Sequence, residues 1–197
     1  MPRHKEFDPD ICLNKVMHLF WQKGYLDTSM ADLVEHSGVQ RYGLYETFGG
    51  KQELFQLALE RYQDTVVSMR LTMLEKRQPE PSLRELKQFF EQFIQLLDDS
   101  SSSFGCLMCN TAIEIASHDA VVAFKVQQYF DRFRQGFARA LSRAKQNGEI
   151  TNSANIQQLA EFLVGSVLGL TVYARSPAPK EDVQSYVQGI IAILDHL

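Results

Sequence analysis

At 197 residues the chain can hold one domain of ordinary size plus a small one, and 45% apolar with 22% charged residues is ordinary for a soluble globular protein. A net charge of -4 excludes a surface coated in positive charge, so any nucleic-acid contact must be local. Three cysteines, Cys12, Cys106 and Cys109, are too few and too odd in number for a secreted disulfide framework.

The opening residues lack the apolar stretch of a signal peptide. The longest apolar run, Leu159 to Ala174, is short for a bilayer and carries Glu161. A cytoplasmic location, reduced thiols and no membrane partner are therefore expected.

Asp8-Pro9-Asp10 puts acid and a φ-fixing residue at a helix start. That helix runs to about Lys23, with Leu13, Val16, Leu19 and Phe20 at helical spacing, and Gly24 stops it. Ser29-x-x-Asp32 is a capping box opening a second helix, whose Ala31, Leu33 and Val34 are expected to face inward. Ser37-Gly38-Val39 is a turn with glycine where φ is positive. A third helix runs from Gln40 to about Phe48, with Leu44 and Phe48 on its core side, and Gly49-Gly50 ends it.

A fourth helix is predicted from Lys51 to about Arg77, carrying the stripe Leu54, Leu57, Ala58, Tyr62 and Val66, before Pro79 and Pro81 interrupt. The next, Leu83 to Leu97, bears Leu86, Phe89, Phe90, Phe93, Ile94 and Leu97, a wide apolar face that must be buried. A polar loop, 98–103, contains four consecutive serines. A helix from about Cys106 to Ser117 follows Gly105, and Asp119 caps a long helix that reaches Gln146. Ala154 to Arg175 and Lys180 to about His196 form the last two helices, separated by Pro177-Ala178-Pro179. No strand pattern and no internal repeat is visible, so the expected fold is all-α.

Asp27 to Lys51, two short helices about a tight turn, reads as a helix-turn-helix DNA reader. Gln40, Arg41, Tyr42 and Gly43 lie at the start of its second helix. Arginine can fork onto guanine, glutamine can pair with adenine, and Gly43 lets the backbone approach DNA. Ser29, Tyr45, Thr47 and Lys51 are candidates for phosphate. A trihelical core with a tyrosine-rich surface is the plainer alternative. Charge tempers the DNA reading: residues 1–51 hold six Lys/Arg against seven acids. One such unit binds weakly, whereas two fixed in a dimer double every contact.

The run Leu19-Phe20, Gly24-Tyr25, Thr28-Ser29, Leu33, Ser37-Gly38-Val39, Leu44-Tyr45, Phe48-Gly49, Lys51 and Leu54-Phe55 resembles the N-terminal domain of the TetR/AcrR family of bacterial transcriptional regulators. The likeness covers about the first third of the chain. Thr47 stands where that family often has histidine, Lys15 where a small residue is usual, and Glu46 puts an acid near the DNA face. The resemblance implies a DNA-binding domain over residues 1–51 and a helical ligand-binding and dimerisation domain over 52–197. It also implies an inducer pocket, and last helices that pair across a two-fold axis.

The residues agree on the dimer. Phe162, Gly165, Ser166, Gly169 and Tyr173 recur at helical spacing near 154–175, and Val183, Tyr186, Val187, Ile190, Ile191 and Leu194 recur over 180–196. Two terminal helices this apolar exceed what a small monomer covers, although both could pack within one chain. For the implied pocket, Phe89, Phe93, Met108, Ile113, Phe130, Phe133 and Phe137 are candidate apolar lining, while aromatics at this spacing also serve as plain core. Asn110, Glu114, His118, Tyr129 and Tyr173 are candidate polar contacts, with a structural hydrogen bond the plainer and favoured role for each.

Gly105-Cys106-Leu107-Met108-Cys109-Asn110 is similar to a Gly-Cys-Leu segment through which some family members sense thiol-reactive compounds. A thiol at a helix N-terminus is more acidic and nucleophilic; the alternative is that Cys106 and Cys109 are small buried hydrophobes. Zinc would need further soft ligands, and a dithiol enzyme would need strands.

The expected function is therefore a non-enzymatic, homodimeric repressor. It needs no cofactor, binds a palindromic double-stranded operator and is released by a small-molecule inducer. A thiol-sensing regulator using Cys106 and Cys109 is the alternative, and a helical protein-interaction module the third reading.

Overall fold

The computed structural model describes residues 7–76, 80–96 and 104–197, and among them the chain is helical with no strand. The predicted serine loop at 98–103, Leu97, Pro79 and the expected helix end at Arg77 lie outside the described residues. The α-helices are α1 (Pro9–Lys23), α2 (Met30–Ser37), α3 (Arg41–Phe48), α4 (Lys51–Tyr62), α5 (Ser68–Glu75), α6 (Leu83–Leu96), α7 (Leu107–Glu114), α8 (Ala120–Gln146), α9 (Ile156–Arg175) and α10 (Lys180–Asp195). They fall into two compact units. The first comprises the described residues of Met1–Val66 with Cys106–Val126, and the second comprises those of Val67–Gly105 with Gln127–Leu197. The chain passes between them at 66/67, at 105/106 and, inside α8, at 126/127.

In the first unit, helix ends follow the local chemistry read from the sequence. Asp8 accepts the N–H groups of Asp10 (2.8 Å) and Ile11 (3.3 Å), and Pro9 opens α1 without needing an N–H partner. Gly24, at φ 87°, ends it with its N–H on the Phe20 carbonyl. Ser29 and Asp32 form the capping box of α2, and Gly38 closes that helix in the left-handed region. The core comes from α1, α2, α3 and α4: Val16, Leu19, Phe20, Leu33, Leu44, Leu54, Phe55 and Tyr62 are buried. Phe20 meets Phe55 edge-on at 4.9 Å and Trp21 meets Tyr62 at 5.0 Å, geometry that favours aromatic pairs. Ala31, expected inside, is exposed; an eight-residue helix buries a narrow face, here Leu33 and Ser37.

The predicted single helix from Lys51 is broken. After Tyr62 the chain makes a π-helical turn, Gln63–Val67, before α5 resumes. Thr65 Oγ1 donates to the Arg61 carbonyl at 2.6 Å at this point, a side-chain bond that loosens helical turns. The inserted residue moves the buried stripe one position on, so Val67 is buried after Tyr62 where Val66 was predicted; with valine at both positions the sequence pattern does not distinguish the two registers.

In the second unit, α6 is the centre. Leu86, Phe89, Phe90 and Phe93 are buried, and α6 packs against α5 and α10. Phe89 lies 5.3 Å from Phe137 and 6.0 Å from Phe133, bringing α8 onto the same cluster. Arg132 of α8 holds Glu75 of α5 through two nitrogens (3.2 and 2.9 Å) and also donates to Ser68 (3.2 Å). Asn155 caps α9 by accepting the Gln158 N–H, and α9 packs on α10. At 20 residues, α9 is by length and composition apolar enough to cross a membrane, contrary to the expectation from the shorter run Leu159 to Ala174. The helix extends beyond that run at both ends.

Asp32 gives a pH test. Its carboxylate accepts from Lys23 Nζ (2.7 Å) and the Ser29 N–H (2.7 Å), and these bonds hold it well below the usual carboxylate range. Its folded pKa is depressed, so its contribution is fully present above the unfolded value of about 3.9 and is lost as pH falls through the lower folded value. Asp32→Asn is expected to lower the Tm at pH 7, with the gap to the parent narrowing progressively from about pH 5 down to about pH 1. Thermal unfolding by circular dichroism across that range checks this; a gap unchanged at low pH contradicts it.

Candidate nucleic-acid interface

The helix α3 is anchored by Leu44, which is fully buried, and turns its other side outward. Gln40 sits at its N-cap, with Arg41, Tyr42 and Tyr45 exposed behind it, Tyr42 at 69%. The Arg41 guanidinium lies 5.7 Å from the Tyr45 ring centroid, a cation–π contact that pre-orders a long side chain on this surface. Thr47 is half-buried and Glu46 exposed. Gly43 has an inward reason for being glycine: a Cβ there would come 3.1 Å from Val39 Cγ1 and 3.3 Å from a Phe7 ring carbon. Ser29 is exposed, but its hydroxyl already accepts the Asp32 N–H at 3.1 Å.

Lys51 is the surprise in this group. It opens α4, and its ammonium lies 4.2 Å from the centroid of the Tyr25 ring. Burial pulls its pKa down, against the opposing pull of Glu114, Asp27 and Asp32. Burial likewise raises the Tyr25 phenol, helped by Asp119 and Glu53.

Of the residues predicted to face a ligand, Glu114 does something else. Its carboxylate accepts the backbone N–H groups of Tyr25 (3.0 Å) and Leu26 (2.6 Å), in the turn that follows α1. A Cβ on Gly24 would sit 3.0 Å from both carboxylate oxygens. Further bonds fix the first residues of α8 in the same unit: Asp119 caps it through the Val121 and Val122 N–H groups and accepts from Gln52 (2.8 Å), while Lys125 pairs with Glu60. These bonds depress the Asp119 pKa, first through the Val122 N–H.

Cys106, Asn110 and Glu114 thus belong to the first unit, whereas Phe89, Phe93, Tyr129, Phe133 and Tyr173 belong to the second. Within the second, Phe89, Phe93, Tyr129 and Phe133 come together in one buried cluster, Tyr129 4.9 Å from Phe133 and Phe89 5.6 Å from Phe93. Tyr173 is not in it. It is exposed, stacks on Tyr186 at 5.9 Å, and lines an outer groove of about 600 Å³ with Phe162, Asp182, Ile190 and Ile193. Ile113, expected to line a cavity, is 80% exposed, and His118 is exposed too. Met108 and Phe137 are fully buried and Phe130 partly so. Cys106 stands at the N-cap of α7 as predicted, but both it and Cys109 are buried, at 0% and 7% exposure. No disulfide and no His/Cys/Asp/Glu group able to hold a metal occurs among the described residues.

Sequence reading passed over Tyr25, Gln52 and the role of Lys15. The Lys15 ammonium donates to the Ser37 carbonyl at 3.2 Å, closing the C-terminal end of α2. A lysine where small residues are usual is the signal that marked the position.

Two family models match the chain: "Bacterial regulatory proteins, tetR family" over residues 13–58 and "Tetracyclin repressor-like, C-terminal domain" over residues 82–190. The chain belongs to the TetR family of bacterial regulatory proteins. It is a DNA-binding transcriptional regulator of that family and not an enzyme. The chain is 31% identical to YezE, an uncharacterized HTH-type transcriptional regulator of Bacillus subtilis (strain 168), over 99% of its own length and 100% of the relative. It is 31% identical to the HTH-type transcriptional repressor ComR of Escherichia coli (strain K12), over 91% of itself and 85% of that protein. Among solved structures, a cysteine mutant of the TetR-family regulator CifR, complexed with 26-bp operator DNA, superposes with a TM-score of 0.84 at 25% identity. That match covers 96% of this chain and 98% of the other.

The burial of the TetR-type regulator's thiols has a direct chemical readout. Cys12, Cys106 and Cys109 are expected to react with Ellman's reagent at least about tenfold more slowly in the native protein than in guanidinium. Stopped-flow absorbance measures both rates, and native thiols that react as fast as unfolded ones contradict the buried placement.

Proposed function

We propose that this chain is a homodimeric repressor that binds a palindromic double-stranded operator and is released by a small-molecule inducer. The carrying observation is an exposed α3 surface, Gln40, Arg41, Tyr42 and Tyr45, on a helix locked from behind by Leu44. Arg41 and Gln40 read base edges, and Tyr42, Tyr45, Thr47, Ser29 and Lys51 contact phosphate. ComR is named a repressor, and the CifR structure holds operator DNA; both support the same reading here.

The near-neutral reader needs a twin. The outer face of α9 and α10 carries Phe162, Val172, Tyr173, Tyr186 and Ile193, all exposed in the single chain. Pairing this face with its symmetry mate buries it as a four-helix bundle and places two reading helices for one duplex. The same burial accounts for the apolarity of α9 without a membrane, consistent with a cytoplasmic regulator.

Residues 1–51 read DNA in this account, and residues 52–197 hold the inducer and the dimer contact. Phe89, Phe93, Tyr129 and Phe133 are the inducer's apolar surroundings. Their rings pack on one another, so an inducer must part them and move α8, whose first residues belong to the reader's unit. Since coupling is reciprocal, operator DNA weakens inducer binding by the same factor. Burial of Cys106 and Cys109 supports this non-covalent reading over thiol sensing.

Fluorescence anisotropy on duplexes that the protein selects from a random pool tests the reader. Arg41→Ala is expected to cost about 1–3 kcal/mol and relax preference at one position of each half-site. Equal binding of parent and variant to all duplexes would sink the proposal. Ile193→Glu tests the dimer: sedimentation equilibrium is expected to fall from twice 22.5 kDa to 22.5 kDa, with operator affinity down about a hundredfold. A variant that keeps the dimer mass would place the interface elsewhere.

A further inference from the structure

Glu114 lies within the span matched by the C-terminal family model, yet its carboxylate is spent on the reader. The two N–H groups it accepts, from Tyr25 and Leu26, are 89 and 88 residues away in sequence. Each carboxylate oxygen takes one of them, Oε2 that of Tyr25 and Oε1 that of Leu26. Charge-assisted bonds of this kind are short and strong, and a pair of them fixes orientation as well as distance. The absence of a side chain at Gly24 is what lets the carboxylate sit so close, because a Cβ would lie 3.0 Å from either oxygen. Tyr25 in turn carries the Lys51 ammonium over its ring at 4.2 Å, and its own ring is wedged 4.8 Å from Phe55. Lys51 follows directly on Gly49-Gly50, which end the reading helix.

We propose that Glu114 is a positioning residue for operator binding: by clamping the Tyr25–Leu26 backbone it sets the Tyr25 ring, and through that ring the place of the Lys51 ammonium that grips a DNA phosphate. The proposal rests on the reading above, in which Lys51 contacts phosphate. It gives the last residue of α7 a defined way to regulate the reader. A shift of α7 that pulls Glu114 off the two N–H groups frees Tyr25 and takes the ammonium away from its phosphate. Only a carboxylate of this length serves. Glutamine offers one acceptor oxygen and turns its amide NH2 toward the second N–H, and aspartate is one methylene short.

The test is a double-mutant cycle on the full-length protein, using a fluorescein-labelled duplex selected by the parent, with anisotropy measured from 50 to 300 mM salt. Glu114→Gln is expected to weaken binding about tenfold and to flatten the log K against log salt slope by about one per reader. Lys51→Met is expected to do the same, and the double variant to be no worse than Lys51→Met alone. Tyr25→Leu keeps the backbone N–H groups for Glu114 but removes the platform, so it is expected to flatten the slope like Lys51→Met, whether or not Glu114→Gln folds well. Should Glu114→Gln lower only the Tm, keep the parent's salt slope, or add its full effect to that of Lys51→Met, Glu114 is merely structural and the proposal is overturned. A parent that selects no duplex overturns the operator reading itself, a result distinct from a selective parent whose variants keep its slope.

Discussion

Two helices of eight residues, α2 and α3, cannot persist alone in water, because a helix that short does not recover the cost of its nucleation. The reading surface therefore exists only as far as other parts of the chain hold it. A few groups carry that constraint. Leu33 and Leu44 anchor the two helices to the core formed with α1 and α4. The Ser29–Asp32 box starts α2, and the Lys15 ammonium on the Ser37 carbonyl finishes it. With α2 held at both ends and Leu44 buried beneath α3, the outer side of α3 is free to carry exposed arginine and tyrosine, which contribute nothing to the core.

Residues 106–126 belong to the reader's unit. Glu114, Asp119 and Lys125 each reach the N-terminal helices, on the turn after α1, on Gln52 and on Glu60. In the account proposed above, inducer binding reaches the reading helix through a connected element with two arrangements.

Local chemistry in this chain was legible from the sequence, and distant pairings were not. Asp8-Pro9, Gly24, Ser29-x-x-Asp32, Gly38 and Asp119 announce helix ends because each satisfies or terminates a backbone within four residues of itself. The apolar face of α6 was equally plain, since Leu86, Phe89, Phe90 and Phe93 repeat at the helical period. The π turn at Gln63–Val67 escaped because valine stands at both 66 and 67, so the shift of the buried face from one to the other leaves no mark in the apolar pattern. Ile113 and Ala31 were misplaced because short helices leave apolar side chains outside. Glu114 looked like a ligand contact because its partners, the Tyr25 and Leu26 N–H groups, lie in a turn with no pattern of its own. Tyr173 looked like one for a related reason: periodicity gives the face of a helix and not whether that face meets the core or the groove beside Tyr186.

In the account proposed above, a weak, near-neutral reader becomes specific only when two of them are held on one duplex. Hydroxyl-radical footprinting of the full-length protein on its selected duplex tests it most directly. The account predicts two protected patches related by a two-fold axis, with centres one helical turn (about 34–36 Å) or a whole multiple apart. A single protected patch, or even protection along the whole duplex, would contradict it.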